Sequence, residues 1–326
     1  MQQEIQPQLR PTMDIQTGNI EFSVVIPVFN EESNITELFQ QLTEALAFVN
    51  RNFEIIFVND GSTDNSYQLL SYLHEAHPKQ VKVVNFSRNF GHQLAITAGL
   101  KFCQGRAAIV MDADLQDPPE VIVEFLKKWD EGYDIVYGKR TVRQGETLFK
   151  KFTANLFYKL IRMVTTIEIK ENVGDFYLLD RKILNVLDTL NERHRFVRGL
   201  VAWVGYRHTE IEYTRRARYS GETKYGFWKM IKFSLDAMTS FSFAPLRFVS
   251  WLGTFFSVIS FFSILLIIYM RLFTSVTIVG WSSIMAVVLF VGGIQLLALG
   301  IIGEYIARIG DDVKSRPLYN VSNFLG

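Results

Sequence analysis

The stretch from Phe248 to Gly303 constrains this chain more than any other: 56 residues with a single charged side chain, Arg271. At the chain's overall share of charged residues, about twelve would fall there. A helix needs about 20 residues to cross a hydrocarbon layer about 30 Å thick. Phe248 to Met270 offers 23 uncharged residues and Leu272 to Gly303 offers 32, so two membrane helices fit. A soluble hairpin of this length would have to bury apolar residues on every face. Arg215, Arg216, Arg218, Lys224, Lys229, Lys232 and Arg247 precede the first span, and Arg308, Lys314 and Arg316 follow the second. The short connection carries only Arg271, so the positive-inside rule predicts a multi-pass protein of the inner membrane with both termini cytoplasmic. Residues 1–19 hold no apolar run of signal-peptide type and read as a flexible polar lead-in.

The remainder is long enough, and with 48% hydrophobic residues apolar enough, to build a folded domain. Charge is nearly balanced, 34 Lys plus Arg against 33 Asp plus Glu, which excludes a general nucleic-acid binder. The single cysteine, Cys103, excludes an internal disulfide framework and a multi-cysteine zinc site, and reads as a small buried residue in a reducing compartment.

Apolar runs at 22–29, 53–60, 81–88, 107–114 and 133–140, separated by helical-length segments, predict an α/β domain with a mostly parallel sheet. Asn30, Glu31, Glu32 and Ser33 crowd a helix start, followed by Ile35, Leu38, Phe39, Leu42, Leu46 and Val49 at helical spacing. Ligands of open sheets lie at the carboxyl ends of the strands, which here hold Asn30, Asp60, Arg88, Asp112 with Asp114, and Arg140.

In "VNDGSTDNS", Asp60 precedes small residues whose backbone amides can turn tightly toward a base, ribose or phosphate, although a plain Asx–Gly turn reads the same way. "AAIVMDADLQDPPE" ends an apolar run with Asp112 and Asp114, whose spacing puts both carboxylates on one side if the strand persists. Paired carboxylates at a buried strand end repel unless a cation intervenes, and hard oxygen ligands suit Mg2+ or Mn2+ on a diphosphate, with Gln116 as a neutral neighbour. A solvated acidic loop is the alternative.

"VVIPVFNEE", "VNDGSTDNS", "NFSRNFGHQLAITAGL" and "MDADLQDPP" resemble the successive motifs of family 2 glycosyltransferases of GT-A fold. "YGKR", "NVGDFYLLDR", "RGLVAWVG" and "RYSGETKYGFWKM" are similar to the polyprenyl-phosphate branch, which includes bactoprenol glucosyltransferases and dolichol-phosphate mannose synthases. The resemblance spans about residues 20 to 320, and the QxxRW motif of processive polysaccharide synthases is absent. It implies that Pro27, Asn30, Glu31 and Asp60 line a nucleotide site, with Asp60 on the uracil or ribose. It implies that Asp112 and Asp114, with Gln116 nearby, hold Mg2+ or Mn2+ on the sugar-nucleotide diphosphate. Asp175 matches the family's proposed catalytic base, and Lys139, Arg140, Arg218, Ser220 and Lys224 its phosphate-binding groups, with 214–226 as a closing loop.

The expected reaction is inverting transfer of a sugar, glucose by motif closeness, from a UDP-sugar to a polyprenyl phosphate. UDP-amino-arabinose, GDP-mannose or a non-catalytic nucleotide-sugar binder are the alternatives. The second pKa of a phosphate monoester is about 6, so the acceptor hardly needs a base, and Asp175 either orients it or removes a residual proton. Residues 147–164 and 225–243 pattern as basic amphipathic helices for the bilayer surface. The layout is thus a lead-in (1–19), a GT-A domain (20–224), an interface helix (225–245), two spans (246–304) and a cytoplasmic tail (305–326), with room for a homo-oligomer. His74, His77, His92, His194 and His208 show no metal-ligand spacing. Arg88 fits a nucleotide contact or a salt bridge, and Gly292, Gly293, Gly300 and Gly303 fit close helix packing or ordinary glycine content.

Overall fold

The computed structural model describes residues 20–141, 173–190, 192–193, 195–216, 244–273 and 280–326. Four parallel strands form its centre: β1 (Phe22–Val28), β2 (Phe53–Asn59), β3 (Val81–Phe86) and β4 (Ala107–Val110). They are joined by α1 (Ile35–Leu46), α2 (Ser66–Ala76) and α3 (His92–Phe102). The next helix, α4 (Val121–Asp130), leads to β5 (Ile135–Arg140). Strand β6 (Val173–Asp180) lies antiparallel between β4 and β5. After α5 (Arg181–Thr189) and α6 (Val197–Trp203), β7 (His208–Tyr213) adds parallel to β5. The long helices α7 (Ala244–Phe273) and α8 (Trp281–Val313) follow, and β8 (Val321–Leu325) returns antiparallel to β3. The sheet order is β7-β5-β6-β4-β1-β2-β3-β8, the mostly parallel α/β architecture that the sequence predicts.

Helices cover both faces of the centre, so β1 is buried along its whole length and reads as an unbroken apolar run. On one face Ile35, Leu38, Leu42 and Leu46 of α1 pack with Leu70 of α2 and Phe125 of α4. On the other, Ala95 and Ile96 of α3 pack with Leu184 and Leu187 of α5 and Leu200 of α6. Helix α1 keeps its expected period, and Val49, beyond its end, still packs onto the same core.

Three expectations change. Strand β4 stops at Val110, so the carboxylates of Asp112 and Asp114 are arranged by the turn that follows, where Leu115 has φ +59°, and not by strand alternation. The segment 305–326, expected as a tail, is largely regular: α8 continues to Val313 and Val321–Leu325 form a sheet strand. Tyr319 stacks on Phe86 and Phe324 packs on Phe102, each at 4.9 Å between ring centroids, which gives this short strand its apolar hold. A Cβ added at Gly292, Gly293, Gly300 or Gly303 would meet nothing within 4 Å, so these glycines do not serve close packing within the described chain.

Phe248–Met270 and Phe290–Val313 are long and apolar enough to cross a membrane, with mean hydropathies of 2.2 and 1.7. None of either window is buried against the rest of the protein, unlike a soluble core helix. Arg271 falls in the last turn of α7. The segments 147–164 and 225–243, expected as amphipathic surface helices, lie outside the described residues, as do Arg218, Ser220 and Lys224.

Candidate active site

The loops after β1 and β2 are tied to each other. The Asn30 side-chain oxygen accepts the Thr63 backbone N–H at 2.8 Å, and the Asn30 N–H donates to Ser62 Oγ at 3.0 Å. The Glu31 N–H donates to Ser66 Oγ at 3.0 Å. Pro27 is buried inside β1, opposite Val58, and so forms wall rather than rim. Asp60, 3% exposed, accepts the backbone N–H groups of Phe90 at 2.7 Å and Gly91 at 3.0 Å and the Asn89 amide at 2.9 Å. Burial pushes its pKa up despite these bonds. Asp60 thereby ties the β3–α3 loop to the β2 end, and both its oxygens are engaged in doing so. Gly61 has φ +64°, and a Cβ there would lie 2.3 Å from the Arg88 carbonyl carbon, so only glycine fits this crossing. Arg88 lies over the Phe90 ring at 4.1 Å.

At the ends of β4 and β6 the acids converge. Asp175 accepts from Arg198 Nε and Nη2, both at 3.2 Å, and from the Gln93 amide at 3.2 Å, with His92 Nε2 at 3.3 Å. Burial works to raise the Asp175 pKa, but the Arg198 charge and the His92 contact overcome it and hold the carboxyl well below its usual range. His92 Nε2 also lies 3.5 Å from Asp112. Burial disfavours the charge on His92, yet the bond to Asp175 and the charge of Asp112 raise its pKa to about 9. Asp112 itself is pushed up to about 7 by burial, with Asp117, Asp175 and Asp114 adding repulsion against the pull of His92. Asp114 Oδ1 accepts the Gln116 N–H at 3.2 Å, and the Gln116 amide donates to the Arg216 carbonyl at 3.4 Å.

The basic wall comes from β5 and β7. Arg140 Nε donates to the Tyr213 hydroxyl at 3.1 Å, and that hydroxyl donates to Asp117 Oδ1 at 2.5 Å. Arg215 approaches Asp114 and Asp117, each at 3.9 Å. Lys139 does not join this wall. Side chains alternate along a strand, and Lys139 pairs instead with Glu210 at 3.1 Å and Glu212 at 3.4 Å.

Of the expected residues, the structure gathers Asp112, Asp114, Gln116, Arg140 and Asp175 at one edge of the sheet. It adds His92, Arg198, Asp117, Tyr213 and Arg215, none of which the sequence singled out as site residues. Asp112 and Asp114 offer the hard oxygens that suit a divalent cation, and repulsion from Asp117, Asp175 and Asp114 adds to the burial that raises the Asp112 pKa. Among the described residues, no cluster of three or more His, Cys, Asp or Glu forms a complete metal-ligand set.

The sequence matches glycosyl transferase family 2 over residues 23–187, which run from β1 through α5 and include the acidic cluster. An uncharacterized glycosyltransferase of Bacillus subtilis, YkcC, is 50% identical over 94% of this chain and 95% of its own. The SfII prophage-derived bactoprenol glucosyl transferase of Shigella flexneri is 39% identical over 92% of this chain and 97% of its own. Among solved structures, mannosyl-3-phosphoglycerate synthase from Rubrobacter xylanophilus aligns over 72% of this chain and 75% of its own, at 16% identity and a TM-score of 0.46. The sequence match covers strands β1 to β6 and the acids, and the relatives extend through the apolar helices at up to 50% identity: the chain belongs to glycosyl transferase family 2, with the GT-A architecture that its motifs imply.

Proposed function

We propose that the protein transfers glucose from UDP-glucose to a polyprenyl phosphate at the cytoplasmic membrane surface, with inversion at the anomeric carbon. The observation that carries this reading is the Asp112, Asp114 and Asp175 cluster at the sheet edge of a domain joined to two lipid-length apolar helices. Relatives named bactoprenol glucosyl transferases, 37–39% identical across nearly the whole chain, support both the lipid acceptor and the sugar. A cytoplasmic site is supported by the basic residues that flank the two apolar helices. Strand β8 ties the end of the second helix to the sheet.

Asp112 and Asp114, with Gln116 beside them, would hold Mg2+ or Mn2+, which when bound neutralises charge on the departing diphosphate. Arg140 grips a phosphate oxygen with its planar fork of donors. Asp175 is a poor base, because Arg198 and His92 stabilise its ionised form. Its work is to fix His92, which faces Asp112, and Arg198 in place, and the acceptor, largely dianionic at neutral pH, attacks unaided.

Purified protein incubated with Mg2+, UDP-glucose and polyprenyl phosphate should yield a charged glucolipid. No product with UDP-glucose, UDP-amino-arabinose, GDP-mannose or any other sugar nucleotide would overturn the reading. Product from a different donor alone would replace glucose and keep the acceptor.

A further inference from the structure

We propose that Tyr213 and Asp117 are positioning residues that hold the Arg140 guanidinium as a preset phosphate grip. The inference rests on the transfer reading above and extends it to two residues to which the motifs assigned no role. Arg140 and Tyr213 are register partners on β5 and β7, so their side chains share a face. The Tyr213 hydroxyl works in both directions: it accepts from Arg140 Nε at 3.1 Å and donates to Asp117 Oδ1 at 2.5 Å. Arg140 Nη2 lies 3.5 Å from Asp117 Oδ2. The guanidinium is therefore held along one edge, and its Nη1 has no hydrogen-bond partner among the described residues. The Tyr213 ring is fixed by an edge contact with Phe176 at 5.5 Å.

Two glycines make room for this arrangement. A Cβ at Gly174 would stand 2.2 Å from Arg140 Nη2 and 2.6 Å from its Cζ, so the guanidinium lies flat on β6, beside Asp175. A Cβ at Gly138 would stand 2.9 Å from the Tyr213 ring, at the point where the β5–β6 register shifts. Asp117 gives the strongest reason to read function here. It is fully buried, yet its Oδ2 makes no hydrogen bond, and the nearby Arg215 Nε is likewise buried without one. The buried Oδ2 is left facing the Arg140 Nη2 as its charge partner, since a buried carboxylate oxygen is costly without one. A carboxylate that orients one arginine while leaving the outer donors of its fork open suits a site awaiting an anion. The anion is a phosphate oxygen, of the donor diphosphate or of the acceptor monoester.

Full-length protein distinguishes these sources by calorimetry with two probes: UDP with Mg2+ for the donor, and farnesyl phosphate alone for the acceptor. Tyr213→Phe should weaken one probe about ten-fold and raise KM for the matching substrate by a similar factor, with kcat within about two-fold of wild type. Gly174→Ala, which displaces the guanidinium without touching Tyr213, should weaken the same probe. Asp117→Asn, which still accepts from the Tyr213 hydroxyl, should retain most of the affinity. If Tyr213→Phe and Gly174→Ala fold and bind both probes as wild type does, the proposal is overturned. The same holds if these variants lose thermal stability alone. If Tyr213→Phe does not fold, Gly174→Ala decides. If the variants lose a probe but wild type makes no glycolipid, the transfer reading fails and the positioning role stands.

Discussion

Asp175 shows how a single residue's partners decide its chemistry. Its oxygens face Arg198, Gln93 and His92, and its pKa lies below the ordinary value. A carboxylate depressed in the folded state adds stability that is complete above its unfolded pKa and is lost as pH falls through the folded one. The thermal midpoint of wild type should therefore keep dropping as pH falls below about 4, and Asp175→Asn should flatten that drop, since it removes this proton uptake. Equal slopes would contradict the assignment. Arg198→Ala leaves the buried Asp175 carboxylate with His92 and Gln93 alone and should cost about 2 kcal/mol in denaturant titration. A second residue gives an independent check: burial raises the Cys103 thiol to about 11, so thiol reagents at neutral pH should label it only after denaturation. At this scale Asp112 and Asp114 were legible because two acids directly after an apolar strand are conspicuous. His92, Arg198 and Tyr213 were not, because their roles arise only when α3, α6 and β7 meet at one edge of the sheet.

Among elements, the first five strands and α1 follow from hydrophobic run and period, because helices on both faces make their burial continuous. Strands β6, β7 and β8 were hidden for different reasons. Strand β6 carries the "VGDF" motif in its first half, β7 alternates charged residues as an edge does, and β8 is five short residues after a long helix. The C-terminal strand covers the β3 edge, with Asn85 donating to Ser322 Oγ at 3.0 Å and Asn323 to the Tyr67 hydroxyl at 2.9 Å. Removing residues 318–326 uncovers that edge and the rings of Phe86 and Phe102, and should lower the thermal midpoint by several degrees and promote aggregation. An unchanged midpoint and a monodisperse elution profile would show that β8 is dispensable.

Over the whole molecule, α8 is 33 residues, about 50 Å, against a hydrocarbon layer of about 30 Å. It ends at Val313 and leads toward β8, and Arg193 binds this junction through its N–H on Asp312 at 3.2 Å and its guanidinium on the Arg316 carbonyl at 2.8 Å. A crossing by α8 would hold the domain to which it is tied close to the bilayer, as the proposed transfer to a lipid phosphate requires. In a Cys103→Ser background, a cysteine at Leu272 should react with a membrane-impermeant thiol reagent outside intact cells, and one at Ser322 should not. Labelling of both or neither would contradict the hairpin topology.

In the proposed reaction the Asp112 and Asp114 carboxylates are required for sugar transfer onto a lipid phosphate. The most direct test of that requirement is the partition of radiolabelled glucose from UDP-glucose into organic solvent by membranes containing polyprenyl phosphate and Mg2+. Wild type should carry label into the lipid phase, and the folded Asp112→Asn, Asp114→Asn double variant should fall by at least about a hundred-fold. Label transfer by that variant at the wild-type rate would contradict the account.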